Sequence, residues 1–190
     1  MRRRYSAGVS DRQPLPQLWL LSDERNDAAL DGALRRLPRG SALVYRHYHL
    51  PDGARIARFR ALRRIARARD HLVILADSAL TAREWGADGY YGAPLALTPR
   101  RAGLLTVAAV HDLREIAQAN RVGADAALLS PVFATRSHPG ARALGPLRFR
   151  LMARCAAMPV IALGGVDQRG ADRLAWPRWA AIDGLSSTDS

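Results

Sequence analysis

The chain contains no lysine and only one cysteine, and each scarcity excludes a kind of chemistry. Every one of its 29 basic side chains is an arginine, so Schiff-base catalysis on a side-chain amine is impossible. Cys155 alone cannot form an internal disulfide; it fits a cytoplasmic chain in which it packs as a small apolar residue. Long apolar runs are missing too. None reaches the roughly 18 residues that a membrane span needs, and the opening MRRRYSAGVS lacks the apolar stretch of a secretory signal. No membrane partner is therefore expected. Aromatic residues are scarce as well, at 6% of the chain.

What is present is ordinary globular material: 190 residues, 48% hydrophobic and 24% charged, enough to bury a sizeable core. Residues 1–16 read as a flexible basic tail and residues 17–190 as one domain. The net charge of +12 raises the question of nucleic acid, because a basic surface attracts phosphate whatever its fold. Its distribution argues against that partner. Arg58, Arg60, Arg63, Arg64, Arg67 and Arg69 crowd one helix on several faces and form no single stripe with stacking rings between them. A solvated arginine-rich surface accounts for them.

Short apolar runs alternate with helical patterns along the whole chain. Strands are expected near 17–22, 41–45, 71–76, 87–91, 105–110, 124–129, 158–163 and 180–185. Helical spacing marks 27–37, 54–68, 79–85, 113–121, 147–157 and 167–174. Strands that are apolar on consecutive positions are buried on both faces, so the pattern indicates a parallel sheet covered by helices. Eight such units predict an α/β fold of the small (β/α)8 TIM barrel type with the eighth outer helix missing. An open doubly wound sheet is the competitor, but no GxGxxG follows an early strand.

In a barrel the loops that leave the strands build the active face. Those ends carry Asp23, Arg46, Asp77, His111, the loop 130–140, Gly164, Gly165, Ser186 and Ser187. The loop SPVFATRSHPG follows a buried strand and sets two hydroxyls, an arginine and an imidazole within four residues, anchored by Pro131 and Phe133. Such a set suits a small anion. Asp23, Asp77 and Asp112 are also good helix caps. Gly164-Gly165 differs, because missing side chains there allow backbone N–H groups to approach a phosphate, although a purely structural turn is the alternative.

Taken in order, LWLLSDE, the arginine ending the second run, ADS at 76, GADGYYG at 86, AVHD at 109, GADAALLSPVFATRSHPG at 123 and PVIALGGV at 159 resemble the thiamine phosphate synthase family, which includes thiazole tautomerases of the TenI type. The resemblance implies the same barrel and thiamine biosynthesis. It implies a thiazole-phosphate site at Gly164 and Gly165, with Ser186 and Ser187 loosely matching the loop after the eighth strand. Thr135 and Ser137 match hydroxyls beside the substrates. Arg46 matches an arginine facing the pyrimidine diphosphate of the synthases, and His138 stands where they have a lysine. Asp77 matches one of two acids that hold Mg2+ in them, and His111 matches a histidine implicated as the acid/base of the tautomerases.

The departures fall on the ionisation machinery. The second metal acid is absent from residues 93–109, and two family lysines are gone. A reaction that ionises a diphosphate needs metal and fixed cations on the departing group. The expected function is therefore thiazole tautomerase-like acid/base chemistry on a thiazole phosphate. Beside it stand a Mg2+-dependent synthase joining a pyrimidine diphosphate to a thiazole phosphate, and a non-catalytic binder of such phosphates. No cofactor is expected; Mg2+ enters only if synthase activity is retained. The missing eighth helix would leave an apolar gap that a homodimer could cover, with Trp176 and Trp179 either at that interface or plugging the core.

Overall fold

The computed structural model describes residues 15–135, 142–183 and 185. Eight strands, β1 (Leu18–Leu21), β2 (Ala42–Tyr45), β3 (Leu72–Leu75), β4 (Gly89–Gly92), β5 (Leu105–Val110), β6 (Ala126–Leu129), β7 (Val160–Ala162) and β8 (Trp179–Ala181), form a closed barrel. Each pairs in parallel with its neighbours in sequence, and β8 closes on β1 through Leu18 opposite Trp179. The outer layer is α1 (Asp27–Arg36), α2 (Asp52–Ala68), α3 (Ala79–Trp85), α4 (Leu113–Val122), α5 (Gly145–Ala153) and α6 (Gln168–Leu174). A 3-10 turn, Pro94–Leu97, stands between β4 and β5 where a helix would complete the pattern. Among the described residues no helix follows β8.

Alternation along the strands divides the core in two. One cluster fills the barrel interior, with Trp19, Leu21, Ala42, Val44, Ile74, Val107, Ala126, Leu128, Ile161 and Ala180. A larger cluster lies between the strands and the helices, with Leu20, Leu43, Tyr45, Phe59, Leu75, Ala108 and Leu129. Both faces of every strand are therefore apolar, which is why the strands read as continuous hydrophobic runs. Leu15 packs against the interior cluster, and Pro16 accepts a hydrogen bond from the Trp19 indole at 2.8 Å, so the chain is anchored beneath the barrel from there.

The tripeptide Gly-Ala-Asp occurs at 86–88, 123–125 and 170–172; the third copy lies within α6, and the first two do the same work as each other. Gly86 and Gly123 close α3 and α4 in the left-handed conformation, with φ of 72° and 66°. Asp88 then exchanges a pair of bonds with Val73: its N–H donates to Val73 O, and its carboxylate accepts from Val73 N–H, each at 2.8 Å. Asp125 does likewise with Thr106, at 2.8 and 2.9 Å. Each carboxylate thus serves the N–H of the second residue of a neighbouring strand, a donor that needs a partner once buried. For this reason β4 and β6 start two residues later than their apolar runs predict.

Two expectations about single residues resolve here. Cys155 is exposed and not packed, because it lies just past the end of α5, beyond the face that buries Phe149, Met152 and Ala153. Trp179 is buried in β8, and Trp176 sits edge-on to Phe149 at 5.1 Å while its indole donates to Val160 O at 2.8 Å. Both tryptophans plug the core.

Candidate active site

The inward alternation of the strands continues past their C-terminal ends and brings Asp23, Arg46 and Ser130 to the rim, with Tyr91 at the end of β4. Arg46 is fixed from the β1 side. Its Nε donates to Ser22 O and its Nη2 to Asp23 Oδ2, both at 2.8 Å. Burial works to raise the Asp23 carboxyl, but hydrogen bonds from Arg25 and the charges of Arg46 and Arg25 hold it below its ordinary value. Nη1 of Arg46 meets no acceptor among the described residues. Burial pushes the Tyr91 phenol up to about 12, with Arg46 pulling the other way, so this rim hydroxyl is a proton-bearing donor at neutral pH.

Behind Arg46 lies a relay that the sequence does not advertise. His47, 1% exposed, has its Nδ1 2.8 Å from Ser22 Oγ and its Nε2 2.8 Å from Asp27 Oδ1. Its φ is 40°. A carboxylate can only accept, so Nε2 carries the proton and Ser22 donates to Nδ1 while accepting from Arg46 N–H at 2.8 Å. Burial lowers the imidazole's affinity for a second proton more than Asp27 restores it, and the contact is a hydrogen bond between a neutral ring and a carboxylate. Arg58 completes it by donating to Asp27 and Asp31. Two arginines of α2, Arg55 and Arg58, are therefore spent on internal carboxylates. A histidine next to a strand-end arginine was the available signal, but nothing in the sequence distinguishes a buried partner from an exposed one.

His111 ends β5 and stays half-exposed. Its Nδ1 lies 2.9 Å from Glu115 Oε2, and its backbone N–H donates to the same oxygen at 2.6 Å. Glu115 sits in the first turn of α4, and its own N–H is capped by Asp112 at 2.8 Å. The carboxylate can only accept, so Nδ1 carries a proton, and in the neutral ring Nε2 is the acceptor nitrogen. Asp112 caps α4, and both the backbone N–H and the ring of His111 bond Glu115 of that same helix. Glu115 was missed by the sequence reading; its spacing of four from His111 was the signal.

The diglycine follows β7 with φ of 91° at Gly164 and 62° at Gly165. Its bareness is required first by the β6 loop. A Cβ on Gly164 would lie 2.8 Å from Pro131 Cα, and one on Gly165 would lie within 3.0 Å of both Phe133 Cβ and the Ala134 carbonyl oxygen. The two loops are zipped by Val132 N–H to Leu163 O and Phe133 N–H to Gly164 O, both at 2.9 Å. Phe133 reaches on to Gly170 of α6 and anchors the loop as its sequence implied. The N–H groups of Gly164 and Gly165 donate to nothing among the described residues. Thr135 is half-buried at the end of the described loop. Ser137, His138, Ser186 and Ser187 lie outside the described residues.

The model of the family described as thiamine monophosphate synthase, TMP-TENI, matches residues 19–185. The chain belongs to that family. It is 34% identical over 140 residues to a thiamine-phosphate synthase of Chloroflexus aurantiacus, a match covering 70% of this chain and 64% of that protein. A thiamine-phosphate synthase of Pyrococcus furiosus is 26% identical over 161 residues, covering 82% and 78%. In fold, the chain superposes on a thiamine phosphate pyrophosphorylase structure from Pyrococcus furiosus with a TM-score of 0.74 at 24% identity, covering 92% of this chain and 89% of that one.

Asp77, the residue matched to a metal ligand, is already bonded within the chain. Asp77 Oδ2 accepts from Arg55 Nη1 at 2.6 Å and Oδ1 from Ser78 N–H at 2.7 Å. Burial alone would raise this carboxyl, yet the bonds from Arg55, Ser78 and Thr81 hold it below its ordinary value. Among the described residues no group of three or more His, Cys, Asp or Glu side chains could hold a metal. No described helix is long and apolar enough to cross a membrane.

Proposed function

We propose that this family member binds a phosphorylated thiazole and moves a proton on it, in the manner of a thiazole tautomerase, with His111 as the acid/base. The observation that carries the reading is the His111–Glu115 contact. It holds the ring in the tautomer whose open Nε2 can take a proton from a substrate carbon. The Glu115 carboxylate steadies the imidazolium that results, and the same Nε2 returns the proton to another ring position, so nothing is consumed. The phosphate is held by the free N–H groups of Gly164 and Gly165, and Arg46 Nη1 supplies a fixed cation on the opposite side of the mouth. Thr135, Ser137, His138, Ser186 and Ser187 complete the proposed binding set. No step needs a metal.

The test is His111→Asn assayed on a carboxylated thiazole phosphate. Fold and ligand affinity stay, and turnover falls by roughly two to four orders of magnitude, the range for losing a general acid/base. Unchanged turnover, with activity lost instead in His138→Asn, moves the role to the β6 loop. The names of the relatives support a second reading, condensation of a pyrimidine diphosphate with a thiazole phosphate. Tautomerising turnover that survives EDTA favours the first reading; efficient Mg2+-dependent formation of thiamine phosphate installs the second.

A further inference from the structure

Arg55 is the most completely engaged cation of the barrel mouth. It is 8% exposed, and all three of its guanidinium nitrogens are used. Nε donates to Arg46 O at 3.1 Å, Nη2 to Ala76 O at 2.9 Å and Nη1 to Asp77 Oδ2 at 2.6 Å. Its guanidinium carbon lies 5.5 Å from the Tyr48 ring centroid and 5.4 Å from that of Trp85, within the range of cation–π attraction. The backbone is held as well, since Arg55 O accepts from the Tyr45 hydroxyl at 2.8 Å. The fork therefore joins the C-terminal ends of β2 and β3 and fills the space between them with positive charge.

A hard divalent ion at this rim would need several oxygen ligands with open lone pairs. Both oxygens of Asp77 are already engaged, because Arg55 donates to one and Ser78 N–H to the other. The other two oxygens near the fork, Arg46 O and Ala76 O, already accept from it. A guanidinium locked by three hydrogen bonds and two rings does not step aside for a hydrated ion.

We propose that Arg55 is the resident cation of this rim: it occupies the place a divalent ion would take at Asp77 and closes that carboxylate to metal. The positive charge bordering the mouth is then part of the covalent chain, and its presence is independent of the metal concentration around the protein. The claim concerns ion binding and stands apart from the reaction assigned above.

The experiment is a titration of the full chain with Mn2+, read by loss of the free-ion electron paramagnetic resonance signal, with folding checked by circular dichroism. Wild type shows no saturable uptake below ~1 mM, and Asp77→Asn gives the same trace. Arg55→Met keeps much of the stem volume and leaves Asp77 without its partner. It takes up Mn2+ with an apparent affinity at least about tenfold above wild type, and Arg55→Met with Asp77→Asn loses that gain. Saturable Mn2+ binding by wild type that Asp77→Asn abolishes overturns the proposal, as does a folded Arg55→Met that ignores the ion. If Arg55→Met does not fold, the comparison of wild type with Asp77→Asn decides alone. No turnover is measured, so failure of the tautomerase assay and failure of this inference are separate results.

Discussion

Gly165→Ala separates the two reasons for a bare backbone after β7. At this position an alanine meets two penalties. The left-handed φ of 62° costs an L-residue about 1–2 kcal/mol. The new Cβ also falls within 3.0 Å of both Phe133 Cβ and the Ala134 carbonyl oxygen, and relieving that overlap means pushing the β6 loop off β7, an overpacking cost of about 1–3 kcal/mol. Gly40→Ala supplies the control. Gly40 has φ of 77° and nothing within 4 Å of its would-be Cβ, so it carries the conformational penalty alone. Both substitutions also restrict the unfolded chain, by a similar amount. The difference between the two variants therefore reads the steric term, about 1–3 kcal/mol. The assay is urea unfolding followed by far-ultraviolet circular dichroism, with the slopes compared first so that midpoints can be read as free energies. Equal losses in the two variants would falsify the tight packing of the Phe133–Ala134 segment on the diglycine. A Gly165→Ala protein as stable as Gly40→Ala but poorer in phosphate binding would assign the glycine to the ligand alone.

Three further outcomes are expected. Glu115→Gln lowers turnover less than His111→Asn and leaves substrate affinity in place, since it changes the partner of Nδ1 and not Nε2, the nitrogen proposed to take the substrate's proton; a wild-type rate in stopped assays would remove Glu115 from the reaction. Stability holds steady above about pH 6.5 and falls below it, by up to about 1.4 kcal/mol per pH unit for each of two histidines. His47 and His71 are buried, with burial lowering both affinities for protons, so between their folded values and the unfolded value the unfolded chain binds more protons; urea midpoints that match at pH 7 and pH 5.5 would contradict this. Trp176→Phe keeps a ring against Phe149 but strands Val160 O, at a cost of about 1 kcal/mol, measurable as a shift in the same unfolding curve.

The barrel was legible because its strands are apolar on consecutive positions, and burial on both faces writes that pattern directly. Helix limits were legible where caps are chemical: Asp112, Ser78 and Asp167 each accept from a first-turn N–H. The site was legible as a set of strand ends and not as contacts. Asp77 reads as a free acid in sequence, and only packing shows Arg55, 22 residues earlier, already bonded to it. Likewise Gly164-Gly165 reads as room for a phosphate, while the nearest occupant of that room is the backbone of Pro131 to Ala134. Long-range pairing leaves no periodic trace, which is why His47 with Asp27, and Arg46 with Asp23, were invisible.

The repeated Gly-Ala-Asp has a bearing on how such chains are sorted. The copies at 86–88 and 123–125 lie where helices hand over to strands, at the end of the barrel opposite the mouth, and their carboxylates bond the starts of β3 and β5. Substitutions at the mouth leave these joints intact. A signature built on these two joints reports how the cylinder is closed and carries no information about the groups at its mouth. Inheritance of architecture and inheritance of chemistry are recorded at different ends of the same molecule. What this chain has written at the other end is an arginine partner for Asp77 and a glutamate partner for His111.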